Sequence, residues 1–131
     1  LLVACALYGA PGWLKATMEP AWWTGEALAY DLVDANFGLK PVGVWLSGQP
    51  AVVRVLSWAT IAIEASFPLL IWWRRTNPWI LLAAGCMHLG IEVMMTVKVL
   101  SLLSVALYPV LLHPEVAEKL WRRVRHILSR S

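Results

Sequence analysis

Charged side chains are scarce in this sequence: Asp, Glu, Lys and Arg together make up 15% of its 131 residues. Soluble domains carry about a quarter, so the chain lacks the polar surface that a water-facing globule needs. Cysteine is nearly absent. Cys5 and Cys86 stand far apart, each inside an apolar segment, which excludes a CxxC redox pair and any zinc-ligand spacing. Both read as buried structural thiols. Also missing are a Gly-rich phosphate loop, an HExxH helix, a Ser-His-Asp arrangement and a metal-ligand cluster. No internal repeat or low-complexity tract interrupts the chain, and no pair of broken helices points to a transporter. A secretory signal needs a charged start and a cleavage site. Neither accompanies the apolar run Leu1 to Leu7, so the sequence reads as the C-terminal part of a longer protein.

What is present is apolar and aromatic. Hydrophobic residues make up 60% of the chain, with nine Trp and a mean hydropathy of +0.64. Trp concentrates where an apolar ring and a polar N–H each find a suitable medium, at membrane–water interfaces. The expected fold is all-α: an integral membrane bundle of about four transmembrane helices, with a cytoplasmic amphipathic C-terminal helix. Residues 1–14 form a first, truncated apolar segment, followed by an external loop over 15–50. Residues 51–73 and 78–97 are each about the 20 residues that a spanning helix requires. The fourth stretch, 99–112, is shorter and carries Pro109. Helix is the economical choice in lipid, because each segment must satisfy its own backbone groups.

Charge placement gives the orientation. Arg74 and Arg75, in the tight turn between the second and third segments, share a side with Lys119, Arg122, Arg123, Arg125 and Arg130 of the tail. Glu19, Glu26, Asp31 and Asp34 lie in the loop on the opposite side. The positive-inside rule makes turn and tail cytoplasmic, and the expected location is a bacterial inner (cytoplasmic) membrane. In the tail, residues 115–130, Val116, Leu120, Val124, Ile127 and Leu128 recur at helical spacing with the basic residues on other faces. That describes an interfacial helix. The net charge of +3 is explained by this topology, and no nucleic-acid partner is expected. Within the loop, a short interfacial helix is expected from Gly25 to Val33, folded back on the bundle.

Glu64 and His88 lie deep inside the second and third segments, each twelve residues from Thr76 in the turn. At 1.5 Å per residue both fall about 18 Å from it, which predicts that they face each other. Ionisable groups at that depth are costly unless paired, and they face the bundle interior. Ser57, Thr60 and Glu64 share a helix face, and His88 and Glu92 share another. A proton relay or pocket wall is one reading; a hydrogen-bonded pair that locks two helices together is the other. Lys15, after the first segment, is either a base of lowered pKa or a snorkelling helix-end Lys. His113 and His126 read as surface residues.

Three motifs carry a family resemblance. Lys15 precedes Trp22-Trp23-Thr24-Gly25, a Trp-x-x-Gly after the first helix. Ala62-Ile63-Glu64-Ala65-Ser66-Phe67-Pro68 lies in a spanning segment, and Met87-His88-Leu89-Gly90-Ile91 in the next, before a segment ending near Tyr108-Pro109. In this order they resemble the horizontally transferred transmembrane domain family, which is related to the vitamin K-dependent gamma-carboxylases. The resemblance implies a pocket for a reduced quinone, with Lys15 in the place of a catalytic base and His88 beside it. The carboxylases' double-Lys signature and large extra-membrane domain have no counterpart here.

The resulting expectation is a membrane-embedded, carboxylase-like domain with a lipid- or quinone-accessible polar pocket. Its expected catalytic residues are Lys15, His88 and Glu64, with Glu92, Thr60 and Trp22 lining the pocket. The alternative is a non-catalytic transmembrane subunit or anchor of a larger complex, its Trp residues packed against partner subunits or lipid. An enzyme needs these groups to converge on an open cavity, whereas an anchor needs only closed pairs.

Overall fold

The computed structural model describes residues 1–97 and 99–129 and is all-helical. In chain order the helices are α1 (Leu2–Thr17), α2 (Pro20–Thr24), α3 (Glu26–Val33), α4 (Pro41–Ser47), α5 (Pro50–Leu70), α6 (Asn77–Met94), α7 (Val99–Leu111) and α8 (Pro114–Leu128). Pro20, Pro41, Pro50, Pro78 and Pro114 each occupy one of the first two positions of a helix. A fixed φ and a missing N–H suit Pro to that place. Arg130, counted in the expected tail helix, lies outside the described residues.

The segment expected as a loop, 15–50, is mostly helical. α1 runs on to Thr17 and therefore carries Lys15 in its last turn. α2, α3 and α4 fold over the end of the bundle opposite the α5–α6 turn. Gly25 joins α2 to α3 with φ +87°, and a side chain there would also strike the Arg54 backbone. Trp22, Leu28, Leu32 and Leu46 of this cap bury themselves with Val53, Ile61 and Met95. A second cluster, Tyr8, Phe67, Ile71, Ile80, Leu81, Ala84 and Tyr108, fills the other half.

α1 makes its most extensive contact with α5, and small residues set the distance. A Cβ on Gly12 would lie 2.5 Å from the Ala65 nitrogen and 2.7 Å from the Glu64 carbonyl carbon. Small residues are what allow helix backbones to approach this closely. Pro11 and Pro68 lie inside α1 and α5. Each removes the N–H that would bond four residues back, at Leu7 and Glu64. Asn77 pins the far end of the bundle: its amide donates to the carbonyls of Ile71 (2.8 Å) and Leu111 (3.0 Å), and its oxygen accepts from His113 N–H (2.9 Å).

Among the described residues, α5 alone is long and apolar enough to cross a membrane, and only 22% of its most apolar stretch is buried. α6 has 18 residues and carries Asn77, His88 and Glu92 among its apolar positions. Cys86 is exposed rather than buried, and Cys5 is half-buried. His113 is likewise not a surface residue: its Nδ1 is buried and unpaired.

Candidate functional site

A polar layer separates the two apolar clusters. Glu64 on α5 lies between Ile61 of one cluster and Phe67 of the other, and its carboxylate is the layer's negative charge. The close approach at Gly12 brings Lys15, one turn further along α1, onto that carboxylate. The Lys15 ammonium donates to both Glu64 oxygens at 2.8 Å. It also lies 4.3 Å from the centre of the Trp22 ring, a cation–π contact. Trp22 is oriented in turn by its indole N–H, which donates to Glu19 at 2.8 Å. Ser57, buried two turns earlier on the same face of α5, donates to the Trp22 carbonyl at 2.5 Å and fixes α2 to α5.

The second half of the layer is a chain of aromatic groups. Tyr8 on α1 stacks on Phe67 with ring centroids 4.0 Å apart. Its hydroxyl is hydrogen-bonded to His88 Nε2 at 2.7 Å and to the Tyr108 hydroxyl of α7. With Nε2 unprotonated, Tyr8 donates to His88 and accepts from Tyr108, so the three side chains form a directed path for a proton. α1 is thereby joined at one oxygen to α6 and α7, which lie far from it in sequence.

Both halves open onto one cavity of about 270 Å³ lined by Tyr8, Pro11, Glu64, Met87, His88 and Ile91. The Glu64 carboxylate, the His88–Tyr8 pair and Ser104 are polar features on a largely apolar wall. A hydroxyl or carbonyl group entering it would meet an acceptor and a switchable donor–acceptor.

The expected Glu64–His88 pair is not made. Equal depth along α5 and α6 says nothing of rotation about each helix, and α1 inserts Lys15 and Tyr8 to take the two groups separately. Lys15 is accordingly no snorkelling helix-end residue. Trp22 joins the layer through Lys15. Thr60 does not: its hydroxyl donates to the Leu56 carbonyl at 3.0 Å, and it lines a separate apolar cavity of about 350 Å³ between α5 and α6. Glu92 is drawn away by Lys40, whose ammonium lies 3.7 Å from Oε1 and donates to the Glu92 main-chain oxygen. Tyr8 and Tyr108 are the site residues that sequence reasoning passed over. A phenol inside an apolar helix needs a hydrogen-bond partner, and that signal was in the sequence.

No protein-family model, curated protein or solved structure gives a significant match to this chain. The functional reading therefore stands on the geometry.

Proposed function

We propose that the chain is a membrane-embedded domain of about four spans, α1, α5, α6 and α7, whose polar layer forms a pocket for a quinone-like ring. The observation that carries the pocket is that Glu64, Tyr8 and His88 converge on one open cavity. The bilayer reading is supported by α5, whose apolar surface faces outward; the core helix of a soluble protein would be buried. Exposed Trp residues fall at both ends of the bundle: Trp72, Trp73 and Trp79 at the α5–α6 turn, Trp23 and Trp45 in the opposite cap. Such paired belts suit two membrane interfaces. Arg74 and Arg75 at the turn and the acidic cap at the other end suit a cytoplasmic tail.

The cavity's volume lies just below the usual range of small-molecule pockets, about 300–1,000 Å³, which suits a single ring system. Glu64 would accept from a quinol hydroxyl on one side and His88 would meet the second ring oxygen, with Tyr8 orienting the imidazole. A quinone supplies two-electron, two-proton redox chemistry when bound. Lys15 holds the Glu64 carboxyl group in place at the cavity wall, and the Tyr108–Tyr8–His88 chain can deliver or remove a proton at Nε2. In this arrangement Lys15 acts on Glu64; to serve as a base itself, as the carboxylase resemblance implies, it must first give up a proton from within the pair.

The rival reading, a non-catalytic transmembrane subunit or anchor, draws on the mutual pairing of Lys15 with Glu64 and of Tyr8 with His88. Titrating the chain in lipid nanodiscs with a water-soluble benzoquinone and its quinol separates the two. Saturable binding, weakened at least tenfold in His88→Ala and in Glu64→Gln variants that stay helical, is the expected result. A well-folded wild-type chain that binds neither form is an anchor.

A further inference from the structure

α8 contains no buried residue, yet its two faces are completely sorted. At 100° per residue, Val116, Leu120, Trp121, Val124, Ile127 and Leu128 fall within one arc of about 140°. The charged residues fill the remainder, with Arg123 bordering one edge of the apolar arc and Arg125 the other. The arc is bare: Trp121 is 60% exposed, and Ile127 and Leu128 are each 69% exposed.

The charges select the occupant. Glu118 is taken by Arg122 at 2.6 Å and Glu115 by Arg74 at 2.8 Å. Among the described residues, Lys119, Arg123 and Arg125 have no carboxylate in ion-pair contact. Arg125 instead lies 5.7 Å from the Trp121 ring centre, so cation and aromatic ring are offered together at one border. Leu120, near the middle of the arc, lines an open apolar groove of about 640 Å³ with Pro78, Leu81, Leu82, Tyr108 and Leu112. The arc therefore continues the apolar flank of α6 and α7. A surface that places anions along both borders of an apolar strip fits this helix. Nucleic acid would satisfy the cations but leave Trp121 and Ile127 in water.

We infer that α8 docks on an anionic phospholipid surface, with Arg123 and Arg125 taking headgroup phosphates on either side of an arc embedded among acyl chains. The inference rests on the bilayer topology proposed above, and one experiment tells their failures apart. Amide hydrogen exchange is followed in the full chain, in nanodiscs of phosphatidylcholine alone and of phosphatidylcholine mixed with phosphatidylglycerol. The expected result is slow exchange in α5 and α6 in both lipids and slowing across residues 116–128 only with phosphatidylglycerol. Each cation near such a surface contributes roughly fivefold, so R123Q/R125Q should lose about thirtyfold of that protection, and R123K/R125K should keep most of it. Equal exchange of 116–128 in the two lipids overturns the inference while leaving the topology standing. Unprotected amides throughout α5 overturn both. Protection by a DNA duplex in phosphatidylcholine discs, matching that by phosphatidylglycerol, overturns the assignment to lipid.

Discussion

Lys15 and Glu64 meet across the α1–α5 contact with the ammonium equidistant, at 2.8 Å, from both carboxylate oxygens, and their side chains are only 17% and 11% exposed. Removing one member strands the other charge, which costs about 3–5 kcal/mol, whereas replacing both by apolar side chains is often neutral. Lys15→Met alone should therefore lower stability by about 3 kcal/mol, and Lys15→Met with Glu64→Leu should recover most of that loss. Denaturant unfolding of the full chain in detergent reads both. Simple addition of the two single losses would show that the pair is not coupled.

Gly12 sets the distance that makes this pair possible. A methyl group there meets backbone atoms of Glu64 and Ala65, which cannot rotate away. Gly12→Ala should cost about 1–3 kcal/mol by overpacking. It should also weaken the ion pair, so that adding Glu64→Gln to it costs less than Glu64→Gln alone. Equal costs in the two backgrounds would disconnect the helix spacing from the pair.

Tyr8 and Tyr108 should rank in a fixed order. Tyr8→Phe keeps the stack on Phe67 but strips the oxygen shared by His88 and Tyr108, leaving two polar groups unpartnered at about 1–3 kcal/mol each. Tyr108→Phe leaves the Tyr8–His88 bond intact and should cost about 1 kcal/mol. Thermal midpoints of the two variants test this, and a larger drop for Tyr108→Phe would contradict the shared-oxygen geometry.

Asp31, on α3 in the cap, gives a pH prediction. Partial burial is the main cause that raises its pKa above 3.8; Lys15 pulls it down, and Asp34 and Glu19 push it up further. A carboxyl whose folded pKa exceeds its unfolded value favours the folded state when protonated. That contribution is complete below 3.8 and is lost as pH rises through the folded value. Asp31→Asn should therefore stabilise the cap at neutral pH, with the advantage vanishing at acid pH. Unfolding midpoints of both proteins across this range test it, and an advantage that grows toward acid pH would reverse the assignment.

Much of the helical framework can be read along the chain, because it depends on local signals. Apolar runs bounded by Pro and by charge lie where α5, α6 and α7 are found, and the sorted spacing of Val116, Leu120 and Val124 lies where α8 is found. The fold of residues 15–50 was less visible, since α2 and α4 are only five and seven residues long and are held by packing of Trp22 and Leu46. The site was legible in its members and not in its pairings. Lys15, Glu64 and His88 stand out as ionisable groups among apolar neighbours. Which groups meet depends on the rotation of each helix, fixed by contacts such as Gly12 against Ala65. Glu92 illustrates the limit: it shares a helix face with His88, yet Lys40 in the α3–α4 connection claims it.

Pro11 and Pro68 give the pocket a mechanical character. Each leaves one carbonyl without its helical partner, at Leu7 and at Glu64, and both of these residues line the cavity. Backbone polar groups left open in an apolar medium are expensive, and at these two points the bill falls beside the polar layer. Flexure at these points works against one hydrogen bond fewer than elsewhere in α1 or α5. The weakened sections of the two helices are thus aligned at the walls of one chamber.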